Sequence, residues 1–155
     1  VSSFTEIVPK LIDATTEIFT GMVMMDISTA GEPMQELGPL KDTITGMVGL
    51  AGIHKGLVAV HFPYEVALAI TSSFLGMDVD EVNEDVQDAV GEIANMLGGN
   101  VKTLLSDRGK DIELSLPSTI SGEEYNFSSQ EQVDQVILPF KAPAGVFHVE
   151  LELER

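Results

Sequence analysis

The chain contains no cysteine and no tryptophan, and it sets eight basic side chains against 25 acidic ones. Without cysteine there are no disulfides, no thiolate metal ligands and no cysteine nucleophile. A net charge of −17 opposes binding to nucleic acid or to an anionic lipid surface, both of which need positive potential. It favours a partner that presents lysine or arginine at its contact surface, although solubility alone is the ordinary use of such a charge. No apolar run approaches the roughly 18 residues that span a bilayer, and no basic segment leads into an apolar one as in an export signal. The expectation is a cytoplasmic protein with no membrane contact. HExxH, Walker A and GxGxxG patterns are missing. His54, His61 and His148 are scattered without paired spacing and read as strand residues, so no metal is expected. Ser72, Ser73, Ser128 and Ser129 lack a nucleophile elbow or SxxK spacing, which leaves serine hydrolysis unsupported.

What is present is a globular composition. Hydrophobic residues make up 44% and charged residues 21% of 155, enough to bury a core in a single domain spanning 1–155. The most informative stretch runs from Asp88 to Leu105. Wound at about 100° per residue, it sorts Val86, Val90, Ile93, Leu97, Val101 and Leu104 onto one broad apolar stripe. Asp88, Glu92, Asn95, Gly99 and Lys102 line the opposite side, with Gly91 and Gly98 at its margin. Each glycine costs a helix roughly 1 kcal/mol relative to alanine. Three of them beside a carboxylate and an amide suggest a face kept low so that another molecule can come close.

The chain also resembles itself. Asp13-Ala-Thr-Thr-Glu17-Ile-Phe-Thr20 matches Asp88-Ala-Val-Gly-Glu92-Ile-Ala-Asn95, 75 residues later. The first copy is amphipathic too, with Ile7, Leu11, Ile18 and Met22 opposing Asp13, Glu17 and Thr20. The methionines near this helix, Met22, Met24, Met25 and Met34, read as core filling, although methionine-rich surfaces also bind partners. Hairpin material follows each helix: Thr43 to Ala51 with Gly56 to Phe62 after the first, then Val133 to Phe140 with Val146 to Leu153 after the second. Pro63 opens a helix over Tyr64 to Leu75 that Gly76 ends. Ile112 to Leu116 reads as a strand, and the polar stretch from Ser118 to Gln132, with Glu123 and Glu124, as a loop. The fold class is therefore α+β: one antiparallel sheet with long amphipathic helices packed on it, in two pseudo-repeated halves.

Glu92 and Asn95 stand three apart, which places both side chains together on one face of the helix. Asparagine does not titrate, so it is neither nucleophile nor base, but it can hold a water by donating and accepting hydrogen bonds. Phosphoryl transfer needs little more than an oriented water and neutralised charge. A neighbouring glutamate suits capture of a cationic side chain. The plain alternative for this spacing is a solvated helix face.

Asp88, Glu92 and Asn95, followed by Pro117 22 positions on, together with the wording Glu-Ile-Ala-Asn-Met-Leu-Gly-Gly-Asn, resemble the CheC/CheX/FliY phosphatases of bacterial and archaeal chemotaxis. The resemblance spans nearly the whole chain. It implies hydrolysis of the phospho-aspartate of the response regulator CheY, with Glu92 pairing with the regulator's active-site lysine and Asn95 inserting to position the attacking water. Magnesium would be supplied by the receiver, with no cofactor bound by this chain. Asp88, Gly91, Gly98 and Gly99 would contact the partner. Members of the CheC type carry two complete motifs, whereas here Thr20 stands where the first copy needs asparagine. Asp13, Glu17 and Thr20 thus form a degenerate second motif, the CheX-like condition of one working site. The resemblance further implies a homodimer joined through the sheets, with Val146 to Leu153 as candidate edge. A catalytically silent module that docks receivers or the flagellar switch is the alternative, and a ligand-sensing domain using the Ser28 to Asp42 loop is a third.

Overall fold

A computed structural model describes residues 2–106, 110–128 and 132–155. Helix α1 (Ser2–Ile18) runs into a π-helical turn (Phe19–Val23), followed by the short strand β1 (Ser28–Thr29). Strands β2 (Leu40–Gly52) and β3 (Gly56–Pro63) form the expected hairpin. Helix α2 (Tyr64–Leu75) begins directly after Pro63, whose fixed φ suits a helix entry, and ends on Gly76 at φ 69°. Helix α3 (Glu84–Leu105) contains the whole central motif. Strands β4 (Ile112–Leu114), β5 (Ser118–Tyr125), β6 (Val133–Ala142) and β7 (Gly145–Glu154) complete the chain.

The strands make one antiparallel sheet in the order β1-β6-β7-β3-β2-β4, with β5 also paired to β2. One face receives the helices, α3 lying over β2 with α1 and α2 beside it. The alternation of β6 and β7 delivers Val136, Leu138, Phe140, Phe147, Val149 and Leu151 to that core. Phe19 stacks on Phe147 at 5.0 Å between ring centroids, and Phe62 meets Phe147 at 5.1 Å, which locks the π-helical turn onto the sheet.

Three sequence expectations change here. Ser118 to Gln132 is not all loop: its first eight residues are β5, while residues 129–131, Ser129 among them, lie outside the described part. β5 is half polar because it covers only the edge of β2, so it lacks the apolar alternation of a buried strand. Val146 to Leu153 is not an edge: β7 pairs with β6 on one side and β3 on the other, leaving it no free backbone for a second copy. Met22 leaves the apolar stripe of α1 and is 55% exposed, and Met24 is exposed as well. The π-helical turn holds more residues per turn than an α-helix. Phe19 and Val23 therefore rotate inward in place of Met22.

The opposite face of the sheet carries a buried polar chain. Thr45 Oγ1 lies 2.7 Å from the Tyr125 hydroxyl and 2.8 Å from His61 Nδ1. His61 Nε2 lies 2.9 Å from Glu150 Oε1, and Gln135 Nε2 donates to Glu150 Oε2 at 2.9 Å. Phe127 covers the imidazole edge-on at 4.8 Å. Burial holds the His61 pKa down at about 4 and pushes that of Glu150 up, so the interior disfavours the charged form of each partner in this hydrogen bond. His61 is thus a packed strand residue, as its apolar neighbours implied.

Candidate active face on the second long helix

Helix α3 is seated by capping at its start and close packing along its length. Asn83 caps it, its Oδ1 accepting from Val86 N at 3.2 Å, and Glu84 and Asp85 complement the helix dipole in the first turn. Val86, Val90, Ile93, Leu97 and Val101 are buried. The helix approaches β2 at Gly46, where an added Cβ would lie 2.8 Å from Val90 Cγ1 and 2.9 Å from Val90 O. No side chain fits there, so the helix backbone rests directly on the strand.

This seating leaves Asp88 and Glu92 exposed and Asn95 half-buried on the outward face. The three glycines divide. A Cβ on Gly98 would meet Val48 Cγ1 at 3.2 Å, and one on Gly91 would meet the Pro117 ring at 3.7 Å, whereas Gly99 faces open space. Of the three, only Gly99 leaves open space beside the helix. Gly98 serves the contact between helix and sheet, and Gly91 admits Pro117. Periodicity placed both near the margin of the helix face and carried no information on what would cover that margin.

Pro117 reaches the helix through a bulge. Leu50 pairs with Leu114 and Met47 with Ser118, so Val48 and Gly49 oppose three residues, Ser115 to Pro117. β4 and β5 thus form one long edge strand with an extra residue in it. Proline has no N–H for a ladder, and here it sits at the interruption. The Ser115 hydroxyl accepts from Gly49 N at 2.8 Å, while Ser115 N donates to Gly49 O at 2.9 Å, so both backbone groups of Gly49 stay satisfied. The outcome is a shallow depression of about 380 Å³ lined by Gln87, Asp88, Gly91, Glu92, Pro117 and Thr119. The 22-residue spacing from Asn95 to Pro117 is the length of chain needed to leave the helix, form β4 and return. Thr119 was not singled out by sequence reasoning, since no local pattern connects a β5 residue to α3.

Asp13, Glu17 and Thr20 are all exposed on the first long helix. The π-helical turn begins at Phe19, between Glu17 and Thr20, so the first copy departs from the second in backbone as well as in residue. Thr15 and Thr16 bond back to Leu11 O and Ile12 O. Among the described residues no group of three or more histidine or acidic side chains is gathered in a way that could hold a metal ion. No helix there is long and apolar enough to cross a membrane.

Comparison with known proteins places this arrangement. Residues 44–141, which include α3 and Pro117, match the family model described as chemotaxis phosphatase CheX. Over 145 residues the chain is 26% identical to the CheY-P phosphatase CheX of Thermotoga maritima, covering 93% of this chain and 90% of that one. It superposes on the chemotaxis protein CheX of Desulfovibrio desulfuricans with a TM-score of 0.84 at 31% identity, covering 96% and 99% of the two chains. It also shares the fold of a chain in the CheX-CheY-BeF3-Mg complex of Borrelia burgdorferi, with a TM-score of 0.80 at 22% identity and 96% and 97% coverage. The family match over most of the chain, with full-length likeness at 31% identity, identifies this protein as a member of the chemotaxis phosphatase CheX family.

Proposed function

We propose that the chain hydrolyses the phospho-aspartate of a CheY-type response regulator in the cytoplasm, with one working site on α3. The observation that carries the reading is the pairing of Glu92 and Asn95 on the outward face of a capped helix, flanked by Pro117. Asn95 inserts beside the phosphoryl group, its carboxamide donating to and accepting from one water so that the water lies in line for attack. The water oxygen bonds to phosphorus as the bond to the aspartyl oxygen breaks, releasing inorganic phosphate and a free carboxylate. Glu92 pairs with the regulator's lysine, which fixes the two surfaces in register. Magnesium belongs to the phosphorylated receiver, and the chain supplies no cofactor. The acidic surface steers the encounter toward that basic side chain.

Phosphate release from phosphorylated receiver, measured beside binding to a receiver loaded with beryllofluoride and magnesium, tests both roles. Asn95→Ala is expected to lose most turnover, on the order of a hundredfold, while still binding, because the amide has no charge with which to anchor the complex. Glu92→Gln is expected to weaken binding and turnover together by about 1.5–3 kcal/mol, the worth of a charge-assisted contact. Undiminished hydrolysis by Asn95→Ala would sink the water-positioning role, and wild-type binding by Glu92→Gln would sink the lysine contact.

A further inference from the structure

We propose that Gly91 is a specificity-determining residue of this face. Carrying no side chain, it keeps open the depression in which the receiver's lysine lies as it reaches Glu92, a role that rests on the function proposed above. Glycine weakens a helix interior relative to alanine, so one kept in the middle of α3 needs a cause. Where the fold itself requires glycine, the cause is visible. A Cβ on Gly46 would lie 2.8 Å from Val90 Cγ1, and one on Gly98 would lie 3.2 Å from Val48 Cγ1. Gly91 is different. Its Cβ would stand 3.7 Å from Pro117 Cβ and 3.9 Å from Thr119 Cγ2, which are ordinary van der Waals distances. Pro117 would therefore rest against an alanine as well as it rests against glycine. The backbone makes no demand either, since Gly91 lies within the α-helix and the glycines at positive φ are Gly31, Gly52, Gly76 and Gly145.

The space that a methyl group would take is part of the site. Gly91 lines the depression of about 380 Å³ together with Gln87, Asp88, Glu92, Pro117 and Thr119. The Pro117 ring and the Thr119 methyl group flank Gly91, so the floor is apolar and a Cβ would rise from it. Beside that floor stand the exposed carboxylates of Asp88 and Glu92, one helical turn apart, a spacing at which like charges repel. Among the described residues neither has an ion-pair partner. An apolar floor beside unpaired carboxylates matches a long cationic side chain, whose methylene stem covers apolar surface while its charged end stays at the polar rim. Glu92, the residue that meets the receiver's lysine, is itself part of the lining.

The test compares Gly91→Ala and Gly91→Gln with wild type in melting temperature, in Kd for the receiver loaded with beryllofluoride and magnesium, and in steady-state phosphate release, with Asn95→Ala in parallel. Both replacements favour the helix, and alanine is expected to raise the melting temperature by about 2–4 °C. The same variants should bind less well. Kd and KM are expected to rise by about tenfold for alanine and by more for glutamine, whose longer side chain fills more of the depression, while kcat at saturating receiver holds. Against a receiver whose active-site lysine is replaced by alanine, Gly91→Ala should cost less than about twofold, because the two changes remove the same contact. A melting temperature that falls overturns the proposal, since it returns Gly91 to the packing of Pro117. Wild-type Kd and KM in Gly91→Gln, or an undiminished penalty against the receiver without its lysine, overturns it as well; loss of turnover in Asn95→Ala then leaves the phosphatase reading standing. A wild-type chain that neither binds nor hydrolyses the receiver overturns both.

Discussion

Asn95 and Thr20 end two eight-residue segments that read alike, yet only Asn95 has the reach and geometry of a carboxamide. A hydroxyl one bond from Cβ does not extend as far into a partner's pocket, and Thr20 stands within the π-helical turn instead of a regular helix. The first copy is therefore expected to be silent. Thr20→Ala and Glu17→Ala should each change phosphate release by less than about twofold, the ordinary effect of a surface substitution. If Thr20→Ala costs as much turnover as Asn95→Ala, both halves work and the single-site reading must go. The residue types at these positions were legible from the sequence, as were the spacing and the missing asparagine. The π-helical turn was not, because it arises from Phe19 and Val23 seeking the aromatic core that Phe62, Phe140 and Phe147 build from distant strands.

At the level of elements, α3 was plain from its period, since six apolar residues at helical spacing leave little choice of face. How deeply it sits was decided by β2. Gly46 and Gly98 allow helix and strand to approach until side chains and backbone touch. Gly46→Ala must push Val90 outward, and Val90 is two residues from Glu92. The variant is expected to lose about 1–3 kcal/mol of stability in denaturant unfolding and to hydrolyse more slowly as the helix shifts. Unchanged stability would mean that the strand yields instead of the helix. β5 escaped sequence reading because an exposed edge strand carries Ser, Thr, Gly and Glu, the same residues that mark loops. The bulge that lifts Pro117 onto the helix was invisible for a related reason: it exists only relative to the register of β2.

The whole molecule has two unlike faces. Helices and the proposed catalytic surface occupy one, and the buried chain Tyr125–Thr45–His61–Glu150–Gln135 lies within the other. His61 has a folded pKa of about 4 against 6.5 unfolded, so the unfolded chain takes up a proton first as pH falls. Stability held by neutral His61 is fully present above pH 6.5 and is lost on acidification toward pH 4. Glu150 acts in the opposite sense: its pKa is raised by burial, so its contribution is present at low pH and lost as pH rises through the folded value. Comparing wild type with His61→Gln separates the two. The variant should lack an acid-induced decline of about 3 kcal/mol between pH 6.5 and 4. An identical pH profile for both proteins would remove His61 as its cause.

The sequence by itself determined the class of fold, the two long helices, the hairpins and the pairing of Glu92 with Asn95. Each of these follows from the period of a helix or strand and from caps and turns a few residues away. Only the tertiary structure decided that Gly98 faces the sheet, that Gly91 receives Pro117 and that β7 is central. Those outcomes depend on contacts between segments separated by tens of residues. A local pattern can name the faces of an element, but the neighbour that covers each face is set by how the whole chain closes on its core.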